Sequence, residues 1–496
     1  MIRDLLERGS PSSTAVSVAG GASITYDRLR RQVDELAATL SGFGIGRDER
    51  IAMALPNGLE MVVSFLAASI AGAAAPLNPA YKLDEFRFYL GDTGARALIV
   101  PPRGAEEARS AAGDKTLIIE VEADAEGEVR FSCENTGAGI NHAPPALDDT
   151  ALVLHTSGTT SRPKRVPLSH ANIMTSARNV AETYRLTPDD VSLCVMPLFH
   201  VHGLVASTLA TLQSGGTVVV APRFNPLSFW SSVRDYRATW YSAVPTIHQV
   251  LLSRSKSGSR PAGAEGLRFI RSCSASLPAQ MMADMEERFG VPVVEAYGMT
   301  EAAHQMASNS LPPGTRRPGS VGQGTGVSLA ILDKHGNALP TGSKGEVSIK
   351  GPNVFGGYEE NPEANASSFT GGWFRTGDEG FLDSDGFLTL TGRIKELINR
   401  GGEKISPREV DEALLAHGAV SEAVCFGIPD KTYGEEVAAA VVLQGTASES
   451  ELMAHCKSLL ADFKAPKVIY IVDKIPRTAT GKVQRRNVAA EILKGD

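Results

Sequence analysis

The feature that most constrains the fold of this chain is a repeated alternation of helix-like and strand-like segments. Apolar residues recur at helical spacing over residues 29–40, a short apolar run covers 51–55, and a second helical pattern covers 60–71. The same alternation returns at residues 191–196, 204–212, 217–220, 229–236, 269–272 and 293–296. Such alternation predicts an α/β fold with doubly wound, mainly parallel sheets and helices on both faces.

The domain organisation follows from where this rhythm changes. A chain of 496 residues exceeds the usual size of one domain. From about residue 319 to 391, short strand patterns are separated by Gly and Pro turns, which favours a small barrel-like or meander subdomain. After residue 393, helical patterns at 406–417 and 448–460 and a strand pattern at 467–472 indicate a compact α+β unit. We therefore predict a large N-terminal domain over 1–392 and a small C-terminal domain over 393–496, with a hinge near Lys395.

Composition narrows the class of function. The net charge of −7 gives no reason to expect nucleic acid as a partner. The five cysteines are scattered without a C-x-x-C pair, which is typical of reduced thiols in a cytoplasmic protein. Acidic residues come too early for a secretory signal, and the longest weakly apolar run, 64–77, is too short to span a bilayer. We expect a cytoplasmic protein without membrane insertion, and either a monomer or a dimer.

A segment rich in hydroxyls and cations follows the apolar run at 151–154. Residues 155–170 read HTSGTTSRPKRVPLSH, and a helical pattern begins near Ala171. Hydroxyls and backbone N–H groups near a helix N-terminus suit phosphate oxygens. We therefore predict a strand, a phosphate-binding loop and a helix. The spacing differs from the Walker A pattern, which occurs nowhere in the chain, and the glycines at 322–326 precede a strand rather than the helix of a dinucleotide site.

Five segments in this order resemble the signatures of the adenylate-forming superfamily of acyl-, aryl- and luciferase-type AMP-binding enzymes. They are residues 156–165, 297–301 (YGMTE), 373–378 (WFRTGD), 392–398 (GRIKELI) and 476–482 (PRTATGK). The first segment departs from the family at Ser161 and Arg165, where glycine is common. If residue 165 requires positive φ, arginine is strained there, and Arg165→Gly would leave activity equal or higher.

The resemblance implies that ATP activates a carboxylic acid as an acyl-adenylate, with Mg²⁺ as cofactor, and that coenzyme A then displaces AMP. Thr300 is expected at the α-phosphate and Glu301 as the Mg²⁺ ligand. The residues expected to bind ATP and AMP are Thr156, Ser157, Gly158, Thr159, Thr160, Lys164, Tyr297, Gly298, Asp378 and Arg393.

The resemblance also implies two roles for a mobile C-terminal domain. Lys482 is expected to be the catalytic lysine of adenylate formation, bridging the acid and the α-phosphate. Gly401 and Gly402 are expected to replace it in the thioester step and to line the path of CoA. Rotation at Lys395 would exchange the two arrangements.

The acid pocket is predicted from residues 199–203, 244–248, 271–276 and His304. By resemblance His200 borders the acyl site, and with His202 and Ser274 it gives a polar lining that favours a small, doubly anionic acid. Residues 240–249, 268–277 and 394–407, together with Ser161, resemble the oxalate–CoA ligases of plants and fungi. That resemblance implies oxalate as the substrate and Ser274 and His304 as its contacts.

Three alternatives remain open from the sequence. One is a CoA ligase for another short, medium-chain or aryl acid. Another is a stand-alone adenylation enzyme that loads a carrier protein. The last is a catalytically silent nucleotide-binding homologue.

Overall fold

The computed structural model describes residues 1–134, 139, 144–156, 163–255, 259–477 and 483–493. The helices of this part are α1 Tyr26–Gly42, α2 Leu59–Ala71, α3 Leu83–Thr93, α4 Glu106–Ala111, α5 His170–Thr183, α6 Ala210–Gln213, α7 Phe229–Asp235, α8 Pro245–Ser253, α9 Ala279–Phe289, α10 Pro362–Ser368, α11 Pro407–Leu415, α12 Glu449–Leu459 and α13 Arg485–Ile492.

The strands up to the middle of the chain are β1 Thr14–Val18, β2 Ser23–Thr25, β3 Arg50–Met53, β4 Ala73–Pro76, β5 Ala95–Val100, β6 Leu117–Ala123, β7 Val129–Ser132, β8 Thr150–Thr156, β9 Lys164–Ser169, β10 Val191–Cys194, β11 Thr217–Val220, β12 Trp240–Ala243 and β13 Phe269–Ser272. Those that follow are β14 Val293–Met299, β15 His304–Ser308, β16 Gln323–Gly324, β17 Ser328–Leu332, β18 Gly345–Lys350, β19 Phe369–Thr370, β20 Trp373–Leu382, β21 Leu388–Arg393, β22 Ile398–Arg400, β23 Glu403–Ile405, β24 Val420–Asp430, β25 Gly434–Leu443 and β26 Val468–Ile471.

Two large sheets form the N-terminal part. The nine-stranded sheet has the order β16-β15-β14-β13-β12-β10-β11-β1-β2, and the seven-stranded sheet has the order β7-β6-β5-β3-β4-β8-β9. The central pairs of both sheets are parallel and the edge pairs are antiparallel. Strands β4, β12 and β13 are buried throughout, as expected for strands covered on both faces. The predicted α/β class with doubly wound sheets is confirmed.

Helix α2 explains the weakly apolar run that the sequence shows near residue 64. Every residue of α2 except Glu60 is buried. A helix that is apolar on all sides is a core helix when protein surrounds it. Within the described part of the chain, no helix combines the length and the apolar character needed to cross a bilayer.

Two smaller sheets follow. Strands β17, β18, β20, β19 and β21 form a five-stranded antiparallel sheet, and β20 pairs with both β19 and β21. Strands β22 to β26 form a second five-stranded sheet with its own buried core, which includes Ile398, Val410 and Leu414. Between these sheets, β21 ends at Arg393 and a helical turn covers Ile394–Glu396. The boundary at 392/393 and the hinge at Lys395 stay predictions.

The strand and the helix predicted on either side of residue 160 are confirmed as β8 and α5, but the prediction that only a loop joins them is wrong. Strand β8 pairs with antiparallel β9, with Thr156 opposite Lys164, and α5 begins only at His170. Burial alternates in β9, where Val166 and Leu168 are buried, but the surrounding cations and Pro167 concealed this two-residue period. The N-terminus of α5 is capped by Ser169, whose Oγ accepts from the backbone N–H of Asn172.

The expected backbone strain at Arg165 is also wrong. Arg165 lies in extended strand β9 opposite His155 and is not among the residues with positive φ. Its guanidinium donates to the backbone oxygen of Asp92 and to Glu360, and it lies 3.5 Å from Glu359 Oε2. Because neighbouring side chains of a strand point to opposite faces, Arg165 and the adjacent Lys164 face different surroundings.

Arg165→Gly is therefore expected to reduce stability rather than ATP binding. The Arg165 side chain is only 11% exposed, and its guanidinium lies among the carboxylates of Asp92, Glu359 and Glu360. The substitution would leave these neighbouring negative charges without their shared cation. We expect the free energy of unfolding to fall by about 1–3 kcal/mol, while KM for ATP changes less than about twofold. Thermal unfolding and steady-state kinetics measure both quantities, with the exposed Arg103→Gly as the matched control. A large rise in KM for ATP would instead show that Arg165 binds the nucleotide.

Candidate active site

Three of the sequence motifs meet at a buried carboxylate. Tyr297 on β14 donates its hydroxyl hydrogen to Oδ2 of Asp378 on β20. Arg393, directly opposite Asp378 in the β20–β21 pair, places Nε 2.6 Å from Oδ1 of the same carboxylate. Burial, with the Asp378 charge in addition, raises the pKa of Tyr297 well above its usual value. The Asp378 charge raises the pKa of Arg393. The residues predicted for adenine and ribose thus lie together.

A second cluster joins the residues predicted to bind phosphate and metal. Glu301 lies in the helical turn Thr300–Ala302 and is buried, and its Oε1 accepts a hydrogen bond of 2.8 Å from Tyr358 Oη. Lys164 Nζ lies 4.3 Å from the centroid of the Tyr358 ring. Burial raises the pKa of Glu301, whereas the pKa of Lys164 is lowered by burial and by the charge of Lys395. Glu301 and Lys164 therefore meet at Tyr358, and the charge of Lys395 acts on Lys164. No sequence pattern had singled out Tyr358.

The donor set at Glu301 suits a magnesium ion. Mg²⁺ prefers oxygen ligands and is usually held by one or two carboxylates together with substrate phosphates. Glu301 supplies such a carboxylate beside Lys164. Among the described residues, no group of three or more His, Cys, Asp or Glu side chains is arranged to hold a metal ion. The fit therefore depends on phosphate oxygens as the remaining ligands.

The residues predicted for the acid pocket form a third cluster, which contains His202, Ser274 and His304 and is called the acid cluster below. His202 begins a π-helical segment, His202–Leu209, and its ring is buried. Its Nδ1 lies 3.0 Å from Ser274 Oγ, and its Nε2 lies 2.6 Å from Ser242 Oγ. The rings of His202 and His304 have centroids 5.1 Å apart. The structure therefore brings together Ser274, His202 and His304, and it adds Ser242.

The backbone around this cluster has unusual conformations. Ser274 has φ of +71°, and the consecutive residues Ala303 and His304 have φ of +50° and +117°. Non-glycine residues seldom adopt such values, which concentrate at functional sites. Gly298 lies against this segment, since a Cβ there would come within 2.3 Å of the His304 carbonyl oxygen. In the β14–β15 pair, His304 is opposite Met299. The Tyr-Gly-Met-Thr-Glu segment and His304 of the acid cluster thus lie on one hairpin, β14–β15.

Arg271 on β13 lies behind the acid cluster and is fully buried. Its Nε donates to Tyr184 Oη (2.9 Å) and its Nη1 to Ser242 Oγ (3.0 Å). Its Nη2 lies 3.0 Å from Gln305 Oε1 and 3.3 Å from His304 Nδ1. The ion pairs of the described residues include no carboxylate partner for Arg271. Residues 271–276 were predicted for acid choice, but only Ser274 was named. The sequence contains one signal that could have identified Arg271, because it is a charged residue within the apolar strand pattern 269–272.

The remaining predicted site residues are spread over several separate elements of the structure. His200 packs its ring on Phe199, with centroids 4.7 Å apart. Gly401 and Gly402 form the exposed turn between β22 and β23, with φ of +60° and +101°. Thr156 is the last residue of β8, opposite Lys164. Ser157, Gly158, Thr159, Thr160 and Lys482 lie outside the described residues.

Comparisons with known proteins agree with this geometry. The AMP-binding enzyme family matches residues 7–359, and the AMP-binding enzyme C-terminal domain matches residues 409–482. The oxalate–CoA ligase of Arabidopsis thaliana is 48% identical over 496 residues, covering 97% of this chain and 96% of that protein. The oxalate–CoA ligase of Saccharomyces cerevisiae is 47% identical over 482 residues, covering 90% of this chain and 88% of that protein.

Solved structures show the same similarity. ATP-bound MatB from Rhodopseudomonas palustris superposes with a TM-score of 0.88 at 32% identity, covering 100% of this chain and 99% of that chain. The family predicted from the ordered motifs is confirmed. The chain belongs to the AMP-binding enzymes.

Proposed function

We propose that this protein is an AMP-forming acid–CoA ligase that converts oxalate, ATP and CoA into oxalyl-CoA, AMP and diphosphate. The observation that carries the proposal is the polar cluster of Ser274, His202 and His304 in front of the buried Arg271, directly beside the nucleotide motif. Relatives of 47% and 48% identity that are oxalate–CoA ligases support the choice of acid.

In the first half-reaction, a carboxylate oxygen of oxalate attacks the α-phosphorus of ATP. The bond between this phosphorus and the diphosphate oxygen breaks, and an acyl-adenylate forms. Thr300 contacts the α-phosphate, Lys164 the outer phosphates, Tyr297 the adenine, and Asp378 with Arg393 the ribose. Lys482 bridges the acid and the α-phosphate. Mg²⁺, when bound at Glu301, neutralises phosphate charge. These groups act by electrostatic preorganisation, which is often the largest contribution to catalysis.

In the second half-reaction, the CoA sulfur attacks the acyl carbon and AMP leaves with the electron pair of its bond to that carbon. We place the path of the thiol beside Gly401 and Gly402, where a Cβ at residue 402 would meet nothing within 4 Å. Rotation of residues 393–496 at Lys395 would withdraw Lys482 and admit this turn. Domain rotations of this kind commonly separate two steps of one enzyme.

The second carboxylate of oxalate explains why the acid pocket is polar. Oxalate is a dianion near neutral pH, so one charged group must enter the pocket while the other reacts. An unpaired charge there would cost several kcal/mol, more than a missing apolar contact. A hydroxyl and an imidazole satisfy this group, and a tunnel built for an alkyl chain does not.

Ser274→Ala and His304→Ala are each expected to lower kcat/KM for oxalate by roughly tenfold or more, about 1.4 kcal/mol or above. KM for ATP should scarcely change, because neither side chain belongs to the nucleotide clusters. Diphosphate release measured against oxalate concentration gives the first parameter, and the same assay against ATP concentration gives the second. Ser192→Ala is the matched control, since it removes a buried hydroxyl of β10 that has no hydrogen-bond partner within the described structure.

The choice of acid is tested on the unmodified enzyme by comparing oxalate, malonate, acetate, octanoate and 4-coumarate. Preference for octanoate or coumarate would reject oxalate and favour a ligase for another acid. Adenylate formation without turnover of free CoA would favour an enzyme that loads a carrier protein. A complete lack of AMP release would favour a silent homologue. The cytoplasmic location and the oligomeric state, monomer or dimer, stay predictions.

A further inference from the structure

We infer that Arg271 is a positioning residue that turns two hydrogen-bond donors, the Ser274 hydroxyl and the His304 ring, toward the second carboxylate of the acid. The inference rests on the proposed function. Arg271 itself is fully buried behind these groups, and it acts through Ser242 and the two histidines.

The shorter branch runs from Arg271 to His304. A guanidinium has only donors, so the ring nitrogen that faces it must accept. Arg271 Nη2 faces His304 Nδ1 at 3.3 Å. We therefore assign the neutral tautomer of His304 that has its hydrogen on Nε2, the opposite nitrogen of the ring. This tautomer makes His304 a donor on the side away from Arg271.

The longer branch runs through Ser242 and His202 to Ser274. Ser242 Oγ accepts from Arg271 Nη1 at 3.0 Å, and its own hydrogen is then available to His202 Nε2 at 2.6 Å. With Nε2 accepting, neutral His202 has its hydrogen on Nδ1 and donates to Ser274 Oγ at 3.0 Å. The hydroxyl hydrogen of Ser274 is thereby directed to a further acceptor. In this arrangement every hydrogen bond of the branch runs in one direction, from Arg271 toward Ser274.

The charge of the cluster selects for an anion. The described partners of Arg271 are the groups of Tyr184, Ser242, Gln305, His304 and Cys273, none of which is a carboxylate. A buried charge without a counter-charge is costly, and attraction between opposite charges is strong where water is excluded. A carboxylate held by Ser274 and His304 supplies a negative charge that the ion pairs within the described ranges do not give to Arg271. The cluster therefore favours an acid with a second carboxylate over one of equal size with a neutral group.

The test compares oxalate with oxamate, which has nearly the same shape but a neutral amide in place of the second carboxylate. Arg271→Gln should lower kcat/KM for oxalate at least tenfold. For oxamate, measured as a substrate or as a competitive inhibitor of oxalate, the change should stay below threefold. Arg271→Lys should lie between, and KM for ATP should not change. Equal losses for both acids would overturn the inference in favour of a structural role.

Further variants keep the test decisive if Arg271 variants fold poorly. Ser242→Ala breaks only the longer branch, so selectivity for oxalate over oxamate should fall at least threefold, and Ser242→Thr should restore it. Tyr184→Phe is the matched control, because it removes the acceptor of Arg271 Nε on the other side of the guanidinium. It should leave the selectivity unchanged. A selectivity unaffected by Ser242→Ala would overturn the inference.

Histidine tautomers give an independent readout. In protein labelled with ¹⁵N-histidine, and with His202→Gln and His304→Gln used for assignment, the expected hydrogens are on Nδ1 of His202 and Nε2 of His304. The opposite tautomer at either ring would overturn the proposed direction of the chain. If the unmodified enzyme fails to use oxalate at all, the proposed function fails first, and this result is visible before any Arg271 variant is made.

Discussion

Lys482→Ala is expected to abolish formation of the acyl-adenylate while a chemically prepared adenylate still reacts with CoA. A single cation that bridges the acid and the α-phosphate is needed only while the phosphorus is attacked. Loss of one such preorganised group typically costs roughly a hundredfold to a thousandfold in kcat. Exchange of labelled diphosphate into ATP measures the first half-reaction, and release of AMP from the prepared adenylate with CoA measures the second.

Lys474→Ala is the matched control for this experiment. Lys474 is exposed and precedes the same terminal motif, so the substitution changes the charge of the segment without touching residue 482. It should leave both half-reactions intact. Overall activity of Lys482→Ala within about threefold of the unmodified enzyme would contradict the assigned role.

Gly402→Leu is expected to have the opposite effect, slowing thioester formation at least tenfold and leaving adenylate formation nearly intact. Two costs contribute. Residue 402 has φ of +101°, which favours glycine, and a leucine side chain would fill the open space beside this turn. The same pair of half-reaction assays measures the change.

Gly402→Ala separates these two costs. Alanine has the same backbone penalty but adds only one carbon, and a Cβ at residue 402 would meet nothing within 4 Å. The alanine variant should therefore retain most of its thioester activity. If the alanine and leucine variants lose both half-reactions equally, the turn supports folding and has no separate role in the path of CoA.

Local patterns predicted the elements that depend on neighbouring residues. Strands β11 and β13 have the predicted bounds, and the helix predicted at 60–71 begins one residue earlier, at Leu59. Strand β9 was missed, because its buried residues Val166 and Leu168 stand among cations and a proline. The sequence motifs also placed Tyr297, Asp378 and Arg393 in one site, since resemblance to a family includes its three-dimensional arrangement.

Contacts between segments that are distant in the chain could not be predicted from local sequence patterns. The partners of Arg271 are Tyr184, Ser242 and the adjacent pair His304 and Gln305, which come from three separate parts of the chain. Spacing along one strand contains no information on these partners. The same holds for Tyr358, which reaches Glu301 across 57 residues.

The close approach of Gly298 to His304 has a consequence for directed evolution of the acid preference. A side chain at 298 would overlap the backbone of His304, so we expect a backbone shift at His304 to displace the Tyr-Gly-Met-Thr-Glu segment as well. Mutations that shift the hairpin backbone would therefore alter acid choice and nucleotide binding together, whereas truncation of the His304 side chain alone would change only acid choice. New acid preferences should be sought in β13 and in the π-helical segment His202–Leu209, with randomised libraries that leave the hairpin unchanged.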